Sequence, residues 1–212
     1  MNTEIILPAD IERRSMEIIE SEIGDMSAFS ELEKLIVKRC VHTTADFDYK
    51  KNLRFSENAA EIGISALKQG AVIVTDTQMA FSGISKPACR SLGCEVFCFM
   101  SDSDVAENAK KRGVTRAVVS VEKAAEMFSD RQLIYAVGNA PTALIRLHEL
   151  IGENKFRPAL IIGVPVGFVN VVEAKDLIMT AGVPYIVAAG RKGGSNVAAA
   201  ILNAMLYTLY RR

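Results

Sequence analysis

The stretch QLIYAVGNAPTALIRLHELIGENKFRPALIIGVPVGF, residues 132–168, decides the fold. It opens on a continuous apolar run, QLIYAV (132–137), and breaks at Gly138. Helical spacing follows over 141–151, and then a second apolar run, ALIIG (159–163). Short apolar runs without alternation mark strands covered on both faces. Two of them joined by a helix make a right-handed parallel crossover. The same pattern recurs on either side. AVIVT (71–75) stops at Asp76, CEVFCF (94–99) follows a short helix around Pro87, and PYIVA (184–188) precedes a helix over 195–210. Helical stretches over 56–70, 102–112, 115–128 and 172–181 fill the gaps. Five apolar strands alternating with helices predict an α/β fold built on a doubly wound, five-stranded parallel sheet of flavodoxin-like type. Ligands are expected outside the carboxyl ends of the strands.

The first fifty residues read as helices added in front of that sheet. Pro8 opens a run whose apolar positions Ile11, Ile18, Ile19 and Ile23 share one face, and Gly24 ends it. Ser30, with Glu33 three residues on, is a capping box for a second helix carrying Leu32, Leu35, Ile36 and Cys40 on its apolar stripe. Neither a repeat nor a linker rich in Gly, Ser or Pro interrupts the chain, so residues 1–212 are expected to form a single domain.

Lys plus Arg and Asp plus Glu are 25 each among 212 residues, so the formal charge is zero and the basic footprint of a nucleic-acid binder is missing. An anionic ligand must therefore be met by local cations. The start has no apolar core of the kind a signal peptide carries, and no apolar run approaches the ~18 residues of a membrane span, so cytoplasmic residence is expected. Cys40, Cys89, Cys94 and Cys98 include no CxxC pair and only two histidines accompany them, which makes zinc a poor reading and buried free thiols the better one.

Three junctions after strands are loaded with glycine: Gly138–Thr142, Gly163–Phe168 and Gly190–Ser195. Glycine lets backbone N–H groups approach a ligand, and the last loop adds Arg191 and Lys192, as an anion cradle would. Such loops also need glycine and proline simply to turn. Of the two histidines, His148 sits beside Leu147 and reads as a packed helix residue. His42 follows Arg39 by three positions and projects from nearly the same helical face, next to the apolar stripe. A free histidine titrates near pH ~6.5 and can exchange a proton at neutrality. Periodicity leaves a satisfied core histidine and a proton-transfer residue both open.

At these residues the chain resembles the precorrin-8X and cobalt-precorrin-8 methylmutases. The resemblance rests on RRSMEIIESE, VKRCVHTTADFDY, AVIVTDTQMAFSGI, GNAPTALIRLHEL, PALIIGVPVGFVNVVEAKDLI and GVPYIVAAGRKGGSNVAAAILNAML, collinear from about residue 11 to 206. It implies an isomerase of corrin biosynthesis that moves the C-11 methyl group of a contracted tetrapyrrole to C-12 by a 1,5-sigmatropic shift. No cofactor and no metal are implied. It implies a homodimer with active sites near the subunit interface. It also implies His42 as the proton-transfer residue, with Ser15, Arg39, Ser85 and Arg116 binding the tetrapyrrole substrate. Gly190, Arg191, Lys192 and Gly193 are expected to meet its carboxylates. Met79, Phe81, Val166 and Phe168 lie in loops where the ring needs apolar walls. The alternative is a non-catalytic corrinoid carrier on the same scaffold, which would not need His42.

Overall fold

Two apolar clusters, one on each face of a central sheet, organise the molecule. The structure is a computed structural model that describes residue 7 and residues 10–210, so the helix start expected at Pro8 lies outside the described residues. The elements run α1 (Ile11–Glu22), α2 (Glu31–Thr44), α3 (Tyr49–Asn52), β1 (Leu53–Phe55), α4 (Ala59–Lys68), β2 (Val72–Thr75), α5 (Gln78–Gly83), α6 (Lys86–Ser91) and β3 (Glu95–Phe97). After a 3-10 turn at Phe99–Ser101 come α7 (Ser103–Arg112), α8 (Arg116–Met127), β4 (Leu133–Val137), α9 (Pro141–Gly152), β5 (Leu160–Gly163), α10 (Val171–Ile178), β6 (Tyr185–Ala188) and α11 (Ser195–Leu209). Alternate strand residues feed opposite faces, as the two-residue period of a strand requires. Ile73, Ile134, Leu160 and Ile186 join the cluster under α2, α4 and α11, whereas Val74, Tyr135, Ile161 and Val187 join the one under α7 to α10.

The sheet corrects the sequence expectation. It has six strands, not five, in the order β1-β6-β5-β4-β2-β3, and β1 pairs antiparallel with β6 while the other neighbours are parallel. β1 is three residues long with exposed Arg54 at its centre, so it has no apolar run to read. An antiparallel edge strand on a parallel sheet is a common addition, and a charge on it discourages further pairing. Some boundaries also move. The helix expected from residue 56 starts at Ala59, because Asn58 takes the left-handed conformation (φ 55°) ahead of it. The strand expected over 94–99 keeps only Glu95–Phe97 before the chain turns into the 3-10 segment. The helix expected to 181 ends at Ile178.

Strand order reverses between β2 and β4, where an open sheet leaves its crevice. Here the protein fills that crevice with its own charge. Asp76, buried at the end of β2, accepts the N–H of Gly138 on Oδ1 at 2.7 Å and those of Asn139 and Ala140 on Oδ2 at 2.8 and 2.7 Å. The Gly138–Thr142 junction is therefore no open cradle. The N–H groups of Gly138, Asn139 and Ala140 are already taken, and Gly138 is there because a Cβ would lie 2.6 Å from the Cα of Ser195. Burial pushes the Asp76 carboxyl up from its ordinary range, and the three N–H bonds pull against that shift. We expect Asp76→Asn, which turns an amide NH2 toward these donors, to lower stability by about 2–4 kcal/mol in urea unfolding. An unchanged midpoint would show that the carboxylate does not organise the rim.

Candidate active site

His42 owes its place to α2. Ser30 accepts the N–H of Glu33 at 3.3 Å and Glu33 Oε2 accepts the N–H of Ser30 at 2.8 Å, the capping box expected from the sequence. The helix buries Ile36, Val37, Cys40 and Val41, largely against α11, which leaves Arg39 and His42 half-buried beside that stripe. It stops at Ala45, left-handed at φ 53°, where Thr44 Oγ1 donates to the Cys40 carbonyl at 2.8 Å. His42 lies in the last turn and makes no hydrogen bond or ion pair among the described residues. His148, by contrast, is tied at 3.4 Å to Thr180 Oγ1 on the far side of the sheet, as a packed helix residue.

One turn before His42, Arg39 donates from Nη1 to Glu12 Oε1 at 2.7 Å and lies 5.4 Å from the centre of the Tyr207 ring. Arg39 and Tyr207 line a groove of about 510 Å³ between α1, α2 and the end of α11. Tyr207 also borders an adjoining hollow of about 560 Å³ with Ser85, Lys86 and Tyr210. Arg39 and Ser85, far apart in sequence, thus line two hollows that share one tyrosine. Ser85 is already engaged in the fold, where its hydroxyl caps α6 by accepting the Ala88 N–H and its own N–H donates to Asn203 Oδ1 at 2.8 Å. Lys86 donates to the carbonyls of Phe81 and Ile84 and lies 4.2 Å from the Phe81 ring centre. Ser15 is half-buried on α1, next to Met16 of the Arg39 groove.

The Gly190–Gly193 loop closes the other end of α2. Lys192 Nζ donates to Asp46 Oδ2 at 2.6 Å and to Asp48 Oδ2 at 2.7 Å, so both aspartates just past His42 are gripped by this loop. Those pairs raise the Lys192 ammonium above its ordinary range and hold the Asp46 carboxyl below its own. Lys175, with no exposed surface, donates to the carbonyls of Gly190 at 2.7 Å and Lys192 at 2.9 Å. Gly193 passes so close to the neighbouring loop that a Cβ would lie 2.1 Å from the Val164 carbonyl oxygen. Arg191 stays exposed, 5.4 Å from the centre of the Phe168 ring. Phe168 is 81% exposed, Met79 70% and Val166 48%, so these three are open apolar surface, not core. Phe81 is half-buried under Lys86.

The candidates therefore gather in two places. Arg39, His42 and the Lys192 contacts follow one another along α2, with Ser85 across Tyr207. Arg116 stands apart at the start of α8, its Nη1 3.4 Å from the Met100 carbonyl beyond β3. β3 and β6 are four strand spacings apart, roughly 19 Å. Three further residues emerge only with the fold. Tyr207 carries no motif. Asp76 is visible in the sequence only as a strand-ending acid, and Lys175 falls with Val171, Ala174 and Ile178 on the buried stripe of its helix, a charge at a core position.

A sequence profile described as Precorrin-8X methylmutase matches residues 10–208. The cobalt-precorrin-8 methylmutase of Leptospira interrogans is 44% identical over 212 residues, spanning 97% of this chain and 96% of that one. The precorrin-8X methylmutase of Pseudomonas aeruginosa is 37% identical over 197 residues, spanning 92% and 93%. A crystal structure of the precorrin-8x methyl mutase from Thermus thermophilus superposes with a TM-score of 0.86 at 42% identity, covering 93% of this chain and 96% of that one.

Burial, only partly offset by the charge of neighbouring Asp176, lowers the Lys175 ammonium from its ordinary value to about 8. A base depressed in the folded state binds fewer protons there than when unfolded, so its contribution to stability is lost as pH falls through 8 and present in full above the unfolded value, 10.5. We expect the wild type to gain on Lys175→Met as pH rises across this window, by at most about 3 kcal/mol in urea titrations. A constant difference from pH 7 to pH 10.5 would contradict this.

Proposed function

The chain belongs to the precorrin-8X methylmutase family, whose named members are isomerases of cobalamin biosynthesis, and we propose that His42 is the residue through which it carries out the reaction. The observation that carries this reading is a half-buried histidine with no partner among the described residues, one helical turn after the groove-lining Arg39 and just before the helix end clamped by Lys192. In the isomerisation the bond from the methyl group to C-11 breaks and a bond to C-12 forms. No electrons enter or leave. A proton delivered from the imidazole to a ring nitrogen makes the π-system electron-poor, lowers the barrier, and returns to His42 afterwards. General acid assistance of this kind is worth ~10²–10⁴-fold. The donor role holds for a metal-free ring, because a nitrogen already bound to cobalt has no lone pair for a proton.

The substrate carries acetate and propionate carboxylates around an apolar ring. Arg191 beside Phe168 offers a cation against an apolar ring on the rim, where Val166 and Met79 are also exposed, while Arg39 and Tyr207 offer the same pairing on the α2 groove. Planar guanidinium groups bind carboxylates in two-point fashion and so fix the register of the ring, which matters because the shift has a strict geometry. Gly190 and Gly193 act by letting their loop lie close to its neighbour. Arg116, at the start of α8 near the Met100 carbonyl, reaches a different part of the ligand, or a ligand held by a second copy. We propose a single domain acting as a cytoplasmic homodimer with its active sites near the subunit interface. The parallel order β3-β2-β4-β5-β6 supports the flavodoxin-like reading of the sheet, and the crevice filled by Asp76 speaks against phosphate binding there.

The test is conversion of precorrin-8x and of cobalt-precorrin-8, followed side by side by absorption. We expect turnover of at least one substrate, and a loss of ~10²–10⁴-fold in His42→Ala with product binding retained. Wild-type turnover in His42→Ala would remove the histidine from the chemistry, whereas wild-type protein that binds the corrin product but converts neither substrate would leave the carrier reading in its place.

A further inference from the structure

Lys175 solves a problem that no ligand poses. Its side chain has no exposed surface, it makes no salt bridge among the described residues, and it lies on the buried stripe of α10. An ammonium in that position has to be surrounded by oxygen acceptors. Those it uses are the carbonyls of Gly190 and Lys192, the two residues flanking Arg191. The carbonyl between them, that of Arg191, accepts the N–H of Gly167 at 3.2 Å, and the N–H of Gly194 donates to the Val164 carbonyl at 2.8 Å. Three consecutive carbonyls are thus engaged, two of them by one buried cation. Outside the loop, the Lys192 side chain continues to Asp46 and Asp48, four and six residues after His42.

We propose that Lys175 is a positioning residue for the methylmutase reaction: by fixing the backbone on both sides of Arg191 it aims that arginine at the rim, and through Lys192 it sets the end of the helix that carries His42. The inference rests on the methylmutase reading above. It assigns Lys192 to protein carboxylates and not to those of the substrate. Lys175 touches no substrate, because its ammonium is enclosed, and its effect passes through the loop.

The loop supplies its own probe, since Arg191 and Lys192 are both trypsin sites. Folded Lys175→Met is expected to be cut there roughly tenfold faster than the wild type, with fragments identified by mass spectrometry. Its kcat/KM should fall roughly 10–100-fold, and Lys175→Arg, which keeps a cationic donor, should restore much of both. Wild-type cleavage together with kcat/KM within about twofold of wild type in Lys175→Met would overturn the proposal. If Lys175→Met does not fold, the outer link decides. Lys192→Met and the double variant Asp46→Asn/Asp48→Asn cut the same connection, so both should lower kcat to a similar extent with KM little changed. A raised KM in Lys192→Met with the aspartate variant unaffected would assign Lys192 to the substrate and overturn the relay. A wild-type protein that turns over neither tetrapyrrole would sink the methylmutase reading alone, and the trypsin comparison would still decide whether Lys175 holds the loop.

Discussion

A charge without water must be answered by the protein, and two such charges set the rim of this fold. The buried ammonium of Lys175 gathers the carbonyls of Gly190 and Lys192. The buried carboxylate of Asp76 gathers the N–H groups of Gly138, Asn139 and Ala140. Each replaces lost hydration with backbone groups that would otherwise be free to move, so the loops after β4 and β6 are held from within. Thr77 Oγ1 and Ser195 Oγ, 2.7 Å apart, tie the start of α5 to the start of α11 between them. Arg191 stands on the second of these loops, and Lys192 of the same loop grips the segment just past His42.

A rim satisfied internally changes what is left for a ligand. After β4, the backbone donors that a glycine-rich loop usually offers an anion, those of Gly138, Asn139 and Ala140, are spent on Asp76. The cations beside aromatic rings are Arg191, exposed by Phe168, and Arg39, by Tyr207 and paired with Glu12. That combination suits a flat apolar ring with carboxylates at its edge better than a compact phosphate. His42, in the last turn of α2, stands between the Arg39 groove and the Lys192 clamp with its imidazole uncommitted among the described residues.

Much of this is legible in the amino-acid order. The strands β2, β4, β5 and β6 lie within the apolar runs read from the sequence, because parallel strands covered on both faces need such runs. The α2 capping box and the placement of His42 beside the buried stripe follow from spacing alone. β1 is not legible, since three residues with a central arginine carry no period and their pairing with β6 is a long-range event. Lys192 is only partly legible for a related reason. A sequence displays a cation in a glycine loop but not the aspartates 144 and 146 residues away that neutralise it. Ser85, expected to touch substrate, has Pro87 two residues on, the signature of a helix cap that the structure realises. Lys175 is readable in principle, as a charge at a core position, and its meaning appears only when the loop above it is in place.

The most direct measurement is a crystal structure with the metal-free corrin product bound. If His42 handles the proton, an imidazole nitrogen will lie within hydrogen-bond reach, ~2.6–3.2 Å, of a ring nitrogen, with peripheral carboxylates on Arg39 and Arg191. A macrocycle seated with His42 out of reach of every ring nitrogen, or facing only a peripheral carboxylate, would contradict the assignment.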